Sequence, residues 1–204
     1  MSHLLSGQGL TLIRGERCLF QDLGFSIASG ELLTIEGVNG SGKTSLLRAI
    51  AGLTDVEDGQ VRWDNADVKR KRQTFHANLA WMGHRPGFKG DLTLIENLRF
   101  EAGLKSMTMP TAGQHLERLE VAAVSALPFR ALSAGQQRRV ALARMILADA
   151  PLWLMDEPFT NLDADGQDLV IELVGEHLRD GGLCVMASHR RFELDAPVQR
   201  ITLG

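Results

Sequence analysis

The sequence predicts an α/β fold, a doubly wound core interrupted by a helical insertion. Three observations carry that expectation. Apolar runs of strand length recur at 10–13, 32–36, 79–82, 152–155 and 183–187, each beside turn or helix residues. Between the third and fourth runs, from about residue 94 to 149, the apolar spacing changes to a helical period. Finally, the stretch Gly37-Val38-Asn39-Gly40-Ser41-Gly42-Lys43-Thr44 separates one strand-like run from a helical one.

Taken in order, Leu32-Leu33-Thr34-Ile35 leads into the glycines, and Ser45-Leu46-Leu47-Arg48-Ala49-Ile50 leads out as a helix. Two later helices announce their starts. Thr93-Leu94-Ile95-Glu96 and Ser133-Ala134-Gly135-Gln136 both fit a capping box, in which a hydroxyl and an acid or amide satisfy each other's backbone donors. A further helix is expected from Asp163 to about Asp180, with Leu169, Leu173 and Val174 on one face and Gly181-Gly182 as its stop. No internal repeat or linker divides the chain. The 204 residues therefore read as one domain, with a core of about 1–84 and 129–204 and a helical part of about 85–128 extending into the Ser133 helix.

Composition narrows the class. Hydrophobic residues at 44% and charged residues at 23% give an ordinary globular balance, and a net charge of −3 offers no general case for nucleic-acid binding. The basic run Lys69-Arg70-Lys71-Arg72 reads as a solvated face. No stretch approaches the ~18 apolar residues of a membrane span, and no apolar signal core opens the chain. The expected compartment is the cytosol, where thiols stay reduced. Cys18 and Cys184, in apolar runs, are expected to fill the core. Covalent haem attachment is excluded by the lack of a Cys-x-x-Cys-His. His3, His76, His115 and His177 have no paired ligand spacing and are expected to be surface or packing residues.

The glycine-rich stretch is a complete G-x-x-x-x-G-K-[ST]. Its glycines let successive N–H groups turn toward phosphate oxygens, and the following helix adds the positive end of its dipole. Lys43 is expected at the β- and γ-phosphates and Thr44 at Mg²⁺. A metal ligand on a neighbouring strand is then needed. Leu152-Trp153-Leu154-Met155 supplies the strand, and Asp156 sits at its end. Glu157 follows, placed to orient or deprotonate an attacking water.

The segment Leu132-Ser133-Ala134-Gly135-Gln136-Gln137-Arg138, shortly before Asp156, resembles the signature sequence of ABC-type ATPases, with Ala134 replacing a glycine. Asn161-Leu162-Asp163 looks like the D-loop of that family, and His189, just past a strand, like its switch histidine. The resemblance implies a RecA-like core with an antiparallel β subdomain and a helical subdomain. It also implies an ATP-sandwich dimer, in which Ser133, Gly135, Gln136 and Asp163 of one copy complete the nucleotide site of a second copy.

Two positions depart from the family pattern. Where the family has Gln before its Glu-Asn pair, counting back from Glu96-Asn97 lands on His84, which can bind the metal or its water but titrates near neutral pH. Where it commonly stacks a tyrosine on adenine, counting back lands near Arg14, whose planar guanidinium can stack instead. The chain has no tyrosine at all.

Gly83-His84-Arg85-Pro86-Gly87, the run Leu92-Thr93-Leu94-Ile95-Glu96-Asn97-Leu98, Arg14-Gly15-Glu16-Arg17 with Leu19-Phe20, and the double Gln and double Arg at 136–139 are similar to the cytochrome c maturation ATPases, the CcmA family. That resemblance implies ATP and Mg²⁺ as cofactors and a place at the cytoplasmic face of the bacterial inner membrane. It implies permease partners of the CcmB and CcmC type, with hydrolysis coupled to release of a haem-loaded chaperone. The alternatives are the cassette of another small exporter, or a soluble ABC ATPase acting on ribosomes or DNA. The latter usually needs paired cassettes or a long coiled-coil insertion, and no long heptad run lies between Thr44 and Ser133.

Overall fold

A computed structural model describes residues 2–103 and 112–204. Residues 104–111, within the stretch expected to be helical, lie outside the described residues. The chain runs β1 (Leu4–Arg14), β2 (Arg17–Ala28), β3 (Leu32–Gly37), α1 (Lys43–Ile50), β4 (Asp58–Trp63), β5 (Ala66–Asp67), α2 (Arg72–Ala77) and β6 (Leu79–Met82). It continues with α3 (Leu94–Ala102), α4 (Ala112–Arg118), α5 (Ala134–Leu147), β7 (Leu152–Asp156), α6 (Ala164–Arg179), β8 (Leu183–Ala187) and β9 (Val198–Leu203). All five strand-like runs read from the sequence lie in strands.

Those strands form two sheets. The central sheet is parallel, in the order β6-β7-β8-β3-β9, and a second, antiparallel sheet has the order β2-β1-β4-β5. Every residue of β7 and β8 is buried, as expected for parallel strands covered on both faces. Alternation along them sorts the core into two layers. Leu33, Ile35, Leu152, Leu154, Leu183 and Val185 face α1 and the antiparallel sheet. Their neighbours Leu32, Trp153, Met155, Cys184 and Met186 face the side of α5 and α6. The order of layers is thus antiparallel sheet, α1, parallel sheet, then the helices of the C-terminal half.

Both capping boxes form. Thr93 and Glu96 close the start of α3, and Ser133 and Gln136 that of α5. Helix α6 begins at an Asp163 cap, with Leu173 and Val174 buried, and Gly181 follows it with φ +86°. The helical insertion leaves the core after β6, the second strand of the parallel sheet in chain order. The basic run at 69–72 is exposed, as expected, with Lys69 paired to Asp55 at 3.0 Å.

The cysteines divide. Cys184 is fully buried and its thiol pKa is pushed well up by desolvation. Cys18 is exposed, contrary to the expectation that it fills the core. The reason is a register shift between Leu12 and Ile13. Leu12 still opposes Phe20 over the core, but beyond the bulge Cys18 pairs with the exposed Ile13 at the hairpin end.

Candidate active site

Four neighbouring parallel strands deliver chemistry at their carboxyl ends, the face on which open α/β sheets bind ligands. The glycine-rich loop leaves β3, His84 follows β6, Asp156 ends β7 with Glu157 just after it, and His189 follows β8. Lys43, Thr44, His84, Asp156, Glu157 and His189 line one cavity of about 520 Å³. Asn39, Gly40 and Gly42 line it as well. Val38 does not line it and is 72% exposed.

The loop can follow this path only with glycine at its start. A Cβ on Gly37 (φ +148°) would lie 2.3 Å from the Leu203 carbonyl oxygen on β9. At its other end Gly42 (φ +107°) is the N-cap of α1 and provides no side-chain cap. The first amides of α1 are thus free of side-chain competition and carry the positive end of the helix dipole. Lys43 is buried, and its Nζ donates to the carbonyls of Gly37 at 2.8 Å and Val38 at 3.3 Å. Ser41 Oγ is a buried polar atom without a partner among the described residues. An unsatisfied hydroxyl inside an anion-shaped loop fits a phosphate ligand.

The acidic pair sits opposite. Asp156 is 2% exposed, and its two carboxylate oxygens share the hydroxyl donated by Thr44 Oγ1, at 2.9 and 3.1 Å. Burial raises its pKa, and the Thr44 hydrogen bond opposes that rise. A hydroxyl and a carboxylate so close are hard oxygen donors, suited to a cation that keeps most of its waters. Among the described residues no cluster of three His, Cys, Asp or Glu offers an alternative metal cage.

Glu157 adopts φ +49°, a left-handed conformation uncommon for residues other than glycine. Its N–H donates to the Ala187 carbonyl at 2.8 Å, which pins the turn to the end of β8. Its carboxylate therefore turns into the cavity, 3.6 Å from Lys43 Nζ, while the other oxygen lies 2.8 Å from His189 Nδ1.

Other sequence-chosen residues lie elsewhere. Ser133 Oγ accepts from the Gln136 N–H at 3.2 Å, and Gln136 Oε1 accepts from the Ser133 N–H at 2.9 Å. Gly135 packs on the Asn161 carbonyl, where an added Cβ would come to 3.0 Å, and Asp163 accepts from the Gly166 N–H at 3.0 Å. These residues form a surface patch that does not line the cavity. Arg14, at the exposed end of β1, does not line it either. The hairpin contributes Leu19 instead, which lies against Gly42, and the segment after Glu157 contributes Thr160. Sequence reading missed both, because nothing local marks an apolar or hydroxyl residue as lining a site built from distant loops. It also missed Arg138, whose buried guanidinium reaches the carbonyls behind Asp156 and Glu157.

Three of the remaining histidines have structural partners. His3 meets Asp64 at 2.8 Å and stacks on Trp63, and His76 meets the Ala51 carbonyl at 2.8 Å. His177 stacks on Trp153 with ring centres 4.0 Å apart, and burial pushes its pKa down to about 4.

Comparison with known proteins gives the family. A family model described as ABC transporter matches residues 20–160. The cytochrome c biogenesis ATP-binding export protein CcmA of Methylococcus capsulatus is 41% identical over 202 residues, covering 98% of each chain. Its namesake in Vibrio cholerae is 42% identical over 204 residues, covering 98% of this chain and 99% of that one. The Yersinia pestis protein is 44% identical over 188 residues, 92% of this chain and 86% of its own. An ATP-binding subunit of an ABC transporter superposes with a TM-score of 0.83 at 23% identity, covering 91% of this chain and 79% of that one. A dimeric bacterial ABC transporter cassette gives 0.81 at 24%, with 91% and 88% covered. Those two likenesses establish the fold. The chain belongs to the ABC transporter family as an ATP-binding and hydrolysing cassette, in the branch of the cytochrome c biogenesis ATP-binding proteins.

Proposed function

We propose that this cassette powers cytochrome c maturation from the cytoplasmic face of a bacterial inner membrane, coupling ATP hydrolysis to release of a haem-loaded chaperone. The near full-length similarity to relatives named for cytochrome c biogenesis supports that process. Among the described residues no helix is long and apolar enough to cross a membrane. Attachment is then peripheral, through partner permease subunits of the CcmB and CcmC type. In this reading 1–204 is one cassette, and 85–128 is its helical subdomain.

The observation that carries the hydrolytic reading is the meeting of Lys43, Glu157 and His189 in one cavity. Residues 37–44 hold the triphosphate, with Lys43 leaving its loop carbonyls for phosphate oxygens of higher charge. Thr44 and Asp156 would hold Mg²⁺, which neutralises phosphate charge when bound. Glu157 takes a proton from the attacking water, and its left-handed turn sets where its carboxylate can reach. His189, donating from Nδ1 to Glu157, holds that carboxylate and leaves its other ring nitrogen for a contact with the γ-phosphate. His84 lines the cavity and would serve the metal or its water, and Arg14, outside the cavity lining, is the candidate adenine platform. Ser133, Gly135, Gln136 and Asp163 act on the nucleotide of a second copy in an ATP-sandwich dimer.

Glu157→Gln tests the hydrolytic part. Nucleotide affinity should stay within about twofold while turnover falls by at least about 100-fold, the scale of a lost general base, and a dimer should accumulate with ATP. Hydrolysis at the wild-type rate would remove Glu157 from the mechanism. The cellular part is tested by expressing the same variant in a strain lacking its own cassette. Holo-cytochrome c should fail to form and the haem-loaded chaperone should accumulate; normal cytochrome c would refute the assignment.

A further inference from the structure

Arg138 lies one turn into α5, past the Ser133 cap, and is 3% exposed. A buried cation is costly unless its donors are met. Here they are met by carbonyl oxygens. Nε donates to Pro158 at 3.1 Å, Nη1 to Gly83 at 2.9 Å, and Nη2 to Asp156 at 2.8 Å and also to Glu157. Burial pushes its pKa down to about 10, opposed by the charges of Asp156 and Glu157, so it stays cationic at neutral pH.

The carbonyls of three consecutive residues cannot all face one cation from an extended strand, because successive carbonyls alternate in direction. They do so here because the chain turns at Glu157, with φ +49°. Such a conformation persists only where its surroundings over-determine it. Two contacts do so: the Glu157 N–H on Ala187, and the guanidinium fork behind the same peptide. The fourth donation, to Gly83, fixes the residue before His84 on the other side of the cavity.

We propose that Arg138 is a positioning residue for hydrolysis: its fork locks the left-handed turn that aims Glu157 into the cavity, and ties the β6 and β7 ends to the helix that starts at Ser133. The proposal rests on the reading of Glu157 as the group that acts on water. Arg138 touches no reacting atom.

The test uses Arg138→Lys and Arg138→Met in the full chain. Lysine keeps the charge but replaces a planar fork with a single point donor. It should fold and bind ATP within about twofold of wild type, yet lose about 100-fold in kcat, the scale of a reacting group displaced by roughly 1 Å. Hydrogen exchange at the Glu157 amide should accelerate in the same protein. Arg138→Met, which leaves four acceptors unmatched, should lower the melting temperature as well; if it fails to fold, the lysine variant alone decides. A folded lysine variant with wild-type kcat overturns the proposal. So does a loss expressed in nucleotide affinity instead of kcat, or a kcat loss with unchanged exchange at Glu157. Glu157→Gln run in parallel keeps the two readings apart. If it still hydrolyses ATP, the role of Glu157 fails, while the exchange measurement still decides whether Arg138 holds the turn.

Discussion

Helices α1 and α5 both begin at sites the sequence associates with phosphate, yet they treat their first backbone donors in opposite ways. Helix α1 starts at a glycine with no side-chain cap, and its first turn opens on the cavity that holds Lys43 and Thr44. Helix α5 starts at Ser133 with a complete capping box, its donors partly satisfied by its own Ser and Gln, at the surface and away from the cavity. An unclosed helix start leaves its amides for a ligand of the same chain. A closed one has part of that demand met within its own chain, and the Ser133 patch does not line the cavity. The difference matches the division of labour proposed above, in which one copy binds and the other completes.

The largest expected effect tests the open end. Lys43→Ala should weaken ATP binding by about 10- to 100-fold, the scale of a lost charge-assisted contact, as measured by fluorescent-nucleotide titration. Wild-type affinity would mean that α1 is not the phosphate site. Ser133→Ala probes the closed end. It should destabilise the protein by about 1 kcal/mol as an N-cap loss, leave ATP affinity intact and reduce hydrolysis at saturating ATP about tenfold. If affinity fell as far as in Lys43→Ala, the two helix starts would not differ in role. Thr93→Ala removes the same kind of capping box from α3, whose cap residues do not line the cavity. Denaturant unfolding should again register about 1 kcal/mol, with hydrolysis unchanged. A matching fall in hydrolysis would show that Ser133 acts through stability alone. A small effect is expected for His84→Gln, which keeps a polar side chain in the cavity. Steady-state hydrolysis should change less than about threefold; a loss as large as that expected for Glu157→Gln would show that glutamine cannot take the place of the imidazole.

Much of this site was legible because its chemistry is carried by contiguous residues. The loop at 37–44, the strand ending in Asp156 and Glu157, and the two capping boxes each combine residue type with local spacing. The missed strands lacked such marks. β2 and β4 mix polar and apolar residues, and register shifts in the β1–β2 hairpin disrupt the alternation that would identify them. The exposure of Cys18 has the same origin: its neighbours read as core, and a bulge carries it past the core's edge. Leu19, Thr160 and Arg138 had no local signal, since each matters through what lies opposite it.

The sequence by itself determined the parallel core, the phosphate loop, the acidic strand end and the starts of the principal helices, because periodicity, turn residues and caps act within a few residues of one another. Tertiary structure alone decided that four strand ends share one cavity, that the Ser133 patch stands apart from it, and that Glu157 turns left-handed over the Arg138 fork. Those outcomes depend on the order β6-β7-β8-β3-β9 and on the burial of one guanidinium among distant carbonyls. Strand order and long-range hydrogen bonding are set by packing between segments far apart in the chain, which no local pattern encodes.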